Sequence, residues 1–270
     1  MTLLYGVDGH LGPGHIAYYE ARAAGGIGFQ VTEEHAVHAR MKGGFINAVG
    51  AFSTAAIPPW SELADAVHRH GSALFVQLFA SGIQDTGALT LDWHPVWGPS
   101  RLPHPDNHEQ PLPMGQSEID ELVDSFAASA GNVAESRLDG VEVHGAHGWL
   151  ISQFLSPYFN TRTDGYGGSP ERQCRLAIEV GQAIRGAVGR RLTVGMKFSM
   201  EEGLETGITP ELALTQLGII ANAGVYDYFS ISNGGAHAHG LQIPLWRCRR
   251  LISTTLESAP GRSQPAGRRS

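Results

Sequence analysis

Five short runs of apolar and β-branched residues punctuate the chain: IGFQVTEE (27–34), SALFVQLF (72–79), GVEVHGAH (140–147), LTVGMKFSM (192–200) and YDYFSISNG (226–234). Runs of this kind predict buried strands. Between them the apolar period becomes helical. Ile119, Leu122, Val123, Phe126 and Ala127 lie behind a start at Ser117, which with Asp120 resembles a capping box. Pro59 opens WSELADAVHRH, Ser169-Pro170-Glu171 opens a helix through Val180, and Thr209-Pro210-Glu211 opens one carrying Leu212, Leu217 and Ile220. In the last two a hydroxyl can cap the first amides, and proline at the first helical position gives up no hydrogen bond.

Strand and helix thus alternate as a β/α unit that lengthens around residues 80–116, the signature of a parallel sheet covered by helices. An open doubly wound sheet and a closed barrel both fit that alternation. No G-x-G-x-x-G follows the first run, which weighs against a dinucleotide-binding open sheet. Polar residues collect where the runs end: Thr32, Glu33, Glu34 and His35, then Gln77, His144 and His147, Lys197, and Asn233. In a barrel those ends share one face and converge on one ligand, so the expected fold is an α/β barrel.

Composition narrows the partners. The 270 residues carry 19 Lys+Arg against 26 Asp+Glu, a formal net charge of −7, which argues against nucleic acid. The charge is uneven: residues 241–270 hold six Arg and a single acid, Glu257, and so carry +5, leaving −12 on the first 240. That stretch loses the upstream periodicity and reads either as a disordered basic tail or as a shifted reading frame. The expected division is a barrel over 1–240 and a tail over 241–270. Two cysteines, Cys174 and Cys248, are too few for a disulfide framework or a four-thiolate cluster. With no apolar stretch of membrane-spanning length and no leader pattern, a cytoplasmic location without membrane partners is expected.

The densest local signal is VEVHGAHGWLISQFLSPYFNTRTDGYGGSPER, residues 141–172. A strand there ends in two histidines three apart, separated by small residues, so both imidazoles can face one substrate atom. A cationic or hydrogen-bonding pair suits an oxygen on which negative charge develops. Two plainer readings stand beside it: polar strand-end residues without a role, or a metal site completed by His237 and His239. No acidic ligand accompanies the latter at familiar spacing, so no metal is expected.

His-Gly-Ala-His-Gly, followed by Ser-Pro, Asn160, Arg162-Thr-Asp164, Tyr166-Gly-Gly-Ser169 and Glu171, closely resembles the old yellow enzyme family, in particular the branch of dienoyl-CoA reductases and trimethylamine dehydrogenase. The likeness extends through GHIAYYEARAAGGIGFQVTEE, FVQLF, GMKFS and FSISNGGAHAHG, over roughly residues 1–240. It implies a (β/α)8 barrel carrying FMN at the carboxyl ends of its strands, with NAD(P)H or an amine as the source of electrons. By the resemblance, Gln77 meets the pyrimidine edge of the flavin, Lys197 stands beside flavin N1, and Thr2, after Met1, matches the hydroxyl at the end of the first strand. His144 and His147 match the pair that holds the substrate, and Glu33 lines the site. Asn160, Arg162, Asp164 and Tyr166 read as structural, since an Arg–Asp pair ordering a Gly-Gly turn fits their spacing.

Three departures accompany the likeness. Trp149 stands where reductases of the family place a tyrosine that protonates substrate carbon, and an indole N–H is no practical acid. The stretch from Gln77 to Ile83 lacks the His and Arg that normally follow the glutamine. The five runs match strands two to six, so the expected barrel is incomplete, with strand one mostly lost and strands seven and eight missing. The functional expectation is an FMN-dependent oxidoreductase, ene-reductase-like or N-demethylating, acting on an enone, enoyl thioester or methylated amine. A non-catalytic remnant of that family is the alternative, and a homo-oligomer or a completing chain is left open.

Overall fold

The computed structural model describes residues 2–45, 47–88, 93–104 and 108–235. Met1, His237, His239 and the basic stretch from Leu241 lie outside the described residues. The elements in order are α1 (Pro13–Ala24), β1 (Phe29–Ala36), β2 (Val49–Gly50), α2 (Ile57–His68), β3 (Ala73–Phe79), β4 (Trp97–Gly98), β5 (Leu112–Pro113) and α3 (Gln116–Glu135). They continue with β6 (Gly140–Gly145), α4 (Leu150–Leu155), α5 (Pro170–Val188), β7 (Thr193–Ser199), α6 (Pro210–Asn222) and β8 (Tyr228–Ser232). The long strands β1, β3, β6, β7 and β8 fall within a residue or two of the five runs that the hydrophobic pattern predicts. The pairs β2 and β4–β5 carry too little pattern to be read from sequence.

All neighbours in the six-stranded sheet, ordered β2-β1-β3-β6-β7-β8, are parallel. The helices cover its outer face: Trp60, Leu63 and Val67 of α2, Ile119, Leu122, Phe126 and Val133 of α3, and Leu176, Val180 and Ile184 of α5 are buried against it. The sheet is also strongly curled. β1 and β8 stand four strands apart, roughly 19 Å in a flat sheet. Yet the rings of Phe29 and Tyr228 lie 6.2 Å apart, and Phe75 lies 6.0 Å from Tyr228. The described strands are therefore a barrel sector, with β1 and β8 turned toward each other across its interior. Among the described residues no helix is long and apolar enough to cross a membrane.

Helix starts follow the expected chemistry with one correction. Ser169 and Thr209 cap α5 and α6, their hydroxyls accepting from Arg172 N and Leu212 N. The cap of α3 is instead Gly115, and it is the Glu118 carboxylate, rather than Ser117 or Asp120, that accepts from Gly115 N at 2.8 Å.

The loop after α4 is built as its spacing suggests. Arg162 chelates Asp164 through Nε and Nη2 and also donates Nη1 to the carbonyls of Pro99 and Met114. Asn160 bridges the carbonyls of Phe154 and Tyr166, and Gly167 sits where a Cβ would lie 2.6 Å from the Arg162 carbonyl. These contacts fix the loop against the long β3–α3 excursion.

Candidate functional site

Strand side chains alternate, so one residue in two enters the barrel, and the parallel register sorts these into rows. The deeper row runs Glu34, Gln77, Glu142, Gly195 and Tyr228. Two residues further along each strand, His144, Lys197 and Ser230 form the next row, and Ser199 pairs with Ser232 above it.

Glu142 links three members of the deeper row. Buried Glu142 accepts from Gln77 Nε2 at 2.6 Å and from the Tyr228 hydroxyl at 3.1 Å. Gly195 lies between their strands, and a Cβ there would stand 2.1 Å from Tyr228 Cε1 and Cζ. The glycine is thus the space through which the tyrosine reaches the carboxylate. Burial, and then the neighbouring Glu142 charge, pushes the Tyr228 hydroxyl well above its ordinary pKa and keeps it a donor. Thr2 joins the row by donating its hydroxyl to Glu34.

In the second row Lys197 donates Nζ to Ser230 Oγ at 3.1 Å. His144 is buried, and its Nδ1 accepts from Ala146 N at 3.3 Å, which places its proton on Nε2. His147 follows the strand in a left-handed conformation, φ 59°, with its ring centroid 5.0 Å from that of His144. Burial, followed by His147 and Lys197, holds His144 well below the ordinary histidine range, and burial with Lys197 lowers His147 to about 4. The pair is neutral at pH 7. Of the two forms that the sequence leaves open, cationic or hydrogen-bonding, burial favours the neutral, hydrogen-bonding one. Trp149 leans over this row, 5.2 Å from Phe79 and 6.3 Å from His144 between ring centroids.

Six sequence-selected residues, Thr2, Gln77, His144, His147, Trp149 and Lys197, therefore gather at the carboxyl ends of the strands. Glu33 does not join them. It turns toward α1, accepting from Leu3 N, from Leu4 N at 3.2 Å and from His15 Nε2, while its own amide donates to the Tyr19 hydroxyl at 2.7 Å. Although burial opposes ionisation, the His15 and Leu3 hydrogen bonds hold Glu33 below the ordinary carboxylate range. It is an anchor for the first residues; an irregularity in the β1–β3 register between Val31 and Glu34 turns it away from the mouth. Sequence reasoning missed Glu142, Tyr228, Ser199, Ser230 and Ser232. Only Glu142 carried a readable signal, standing two residues before His144 and hence on the same strand face.

The missing His and Arg after Gln77 are replaced by packing. Ala80 and Ser81 are buried, Ser81 Oγ donates to Asp85, and Gln153 fills the space beside Gly82 while bonding Ile83 N, the Ser81 carbonyl and the Gly148 carbonyl. Among the described residues no group of three or more His, Cys, Asp or Glu side chains is arranged to hold a metal ion.

The donor set fits a planar heterocycle that alternates carbonyls with N–H groups and gains negative charge on reduction. Glu142 fixes the Gln77 amide nitrogen, leaving the Gln77 carbonyl oxygen without a hydrogen-bond donor among the described residues. Lys197 supplies the one cation of its row. A parallel barrel sector with an amide, a cation and two imidazoles at its carboxyl ends suits such a heterocycle.

Comparison with known proteins gives the lineage. The model of the NADH:flavin oxidoreductase / NADH oxidase family matches residues 5–225, and the chain belongs to that family, whose enzymes use FMN with NAD(P)H as electron donor. It is 35% identical over 225 residues to the NADH oxidase of Thermoanaerobacter brockii, covering 83% of this chain and 34% of the relative. Among solved structures, a 2-naphthoyl-CoA reductase complex superposes with a TM-score of 0.80 at 26% identity, covering 86% of this chain and 37% of that one. Histamine dehydrogenase from Rhizobium sp. 4-9 superposes with a TM-score of 0.75 at 27% identity, covering 82% and 32%. The chain thus spans about a third of the length of each of these three proteins.

Proposed function

We propose that this chain acts as an FMN-dependent oxidoreductase that passes hydride from NAD(P)H to a small-molecule acceptor bearing a carbonyl-type oxygen. Thr2, Gln77 and Lys197 hold the flavin, and His144 and His147 hold the acceptor. The observation that carries this reading is the meeting of His144, His147 and Lys197 at a single mouth, with His144 and Lys197 paired in register and the two imidazole centroids 5.0 Å apart. FMN, when bound, supplies the two-electron chemistry. His144 donates its Nε2 proton to an acceptor oxygen as negative charge grows there, and neutral donors do so without attracting a competing anion. Lys197 stabilises negative charge on the flavin edge, and Gln77, oriented by Glu142, offers its carbonyl to an N–H.

Proton delivery to carbon is where Trp149 matters. Its indole N–H can hydrogen-bond but not serve as an acid, which favours a second reading: oxidation of a methylated amine, which needs no carbon protonation. Trp149→Tyr separates the two. If the site reduces activated alkenes, the tyrosine raises NAD(P)H-dependent enone turnover about 100-fold. If enone turnover stays at background while amine-dependent flavin reduction is present, the amine reading replaces it.

The first test is FMN retention. The purified chain, mixed with excess FMN and stripped of the unbound fraction, is expected to keep close to one flavin per chain by its visible absorption. A colourless protein would mean that the motifs persist without a competent cofactor site, and the remnant reading would stand.

A further inference from the structure

We propose that Ser232, supported by Ser199, is a positioning residue that fixes the orientation and tautomer of His147, so that its Nδ1–H is the group presented to the acceptor. The inference rests on the reading of His147 as an acceptor-binding residue given above.

The conformation of His147 needs an external hold. At φ 59° it occupies the left-handed region, which non-glycine residues enter rarely and at an energetic cost. Its backbone amide donates to Ser199 Oγ at 3.1 Å, and the Ser199 hydroxyl proton is itself committed to the Gly234 carbonyl at 3.2 Å. Ser199 is therefore turned so that only a lone pair faces the His147 amide. Ser199 and Ser232 are register partners on β7 and β8, and Met200 N, donating to the Ser232 carbonyl at 2.9 Å, ties the two strand ends together. The second serine reaches the ring: Ser232 Oγ lies 2.6 Å from His147 Nε2.

A neutral imidazole has one N–H and one acceptor nitrogen, and the partner of one nitrogen decides which is which. The Ser232 hydroxyl is bonded to no other described residue; donating to Nε2, it leaves the proton on Nδ1. Nδ1 of His147 is bonded to no described residue, nor is it sealed in the core. His144 has the opposite arrangement, with Nδ1 accepting and Nε2–H free. The two rings, 78° apart in plane, thus offer unlike N–H groups to one acceptor atom.

The test is ¹⁵N–¹H correlation of the histidine rings in the full chain at pH 7, with His147 assigned by loss of its signals in His147→Gln. The wild type is expected to show the Nδ1–H pattern at His147. Ser232→Ala is expected to shift it toward the Nε2–H form and to raise KM for the acceptor about tenfold, the worth of one hydrogen bond. FMN affinity should be unchanged, and Ser232→Thr should restore both KM and the ring pattern. An unchanged His147 pattern in Ser232→Ala overturns the proposal. So does an Nε2–H pattern for His147 in the wild type, which does not depend on the Ser232 variants. Failure of the wild type to bind FMN is a separate result: it removes the oxidoreductase reading and leaves the ring spectrum to decide the tautomer.

Discussion

Replacing Gly195 with alanine is expected to cost the fold about 2–3 kcal/mol, a large loss for one methyl group. The new Cβ would fall 2.1 Å from two ring atoms of Tyr228, far inside van der Waals contact. The ring cannot yield by a few tenths of an ångström, because its own Cα lies beside Gly195 in register and its hydroxyl is held by Glu142. To escape, Tyr228 must give up that hydrogen bond, leaving the buried carboxylate with one donor fewer. Urea unfolding should show a lower midpoint with an unchanged slope. Tyr228→Leu added to the alanine variant should cost much less than the two single changes together, since it removes the ring that clashes. A Gly195→Ala protein as stable as the wild type would refute the threading of Tyr228 over this position.

A second large effect is expected on acidification. His35 is buried on β1, stacks on Trp60 of α2 with ring centroids 5.7 Å apart, and has neither ring nitrogen hydrogen-bonded among the described residues. Burial is the main cause that lowers it to about 3; nearby Glu33 works the other way and His15 adds to the lowering. A histidine whose folded pKa lies below its unfolded value binds more protons when unfolded. Its contribution is present above about pH 6.5 and is lost as the pH falls toward 3. Between pH 7 and 4.5 this residue alone removes on the order of 2 kcal/mol. His147, lowered to about 4, and the depressed carboxylates of Glu33 and Asp227 act with the same sign. His35→Phe keeps the stack and removes the titration, so its urea midpoint should fall less steeply between pH 7 and 4.5 than that of the wild type. Equal slopes for the two proteins would place the acid sensitivity elsewhere.

What the sequence shows and what it hides divide along a physical line. Strands announce themselves as short runs of apolar and β-branched residues that break the helical period, and all five long strands do so. The caps at Ser169 and Thr209 are equally plain, since a hydroxyl before proline and glutamate has few other uses at a helix start. The start of α3 misleads because Ser117 and Asp120 have the right chemistry two residues too late, while glycine at the true cap leaves all the bonding to Glu118. Within the site, His144, His147, Gln77 and Lys197 stand out as polar residues ending apolar runs. Tyr228, Ser199, Ser230 and Ser232 do not, for their partners lie on neighbouring strands and emerge only once the register is known. Glu33 illustrates the converse: a local irregularity in pairing turned a residue from the mouth to the helix layer, and no sequence period records such a step. The neutrality of the imidazoles is likewise a property of their surroundings.

The hold of Arg162 on the β3–α3 excursion has a bearing on how this protein can vary. Its guanidinium grips the carbonyls of Pro99 and Met114, atoms that every amino acid provides, and pairs with the Asp164 carboxylate of its own loop. Nothing in that attachment reads the identity of the residues it secures. Exposed positions of the excursion, such as Arg101, Gln110 and Leu112, can therefore be rewritten while the segment stays moored. A library diversified there would explore new surface chemistry beside the barrel without loosening the frame that carries His144 and His147.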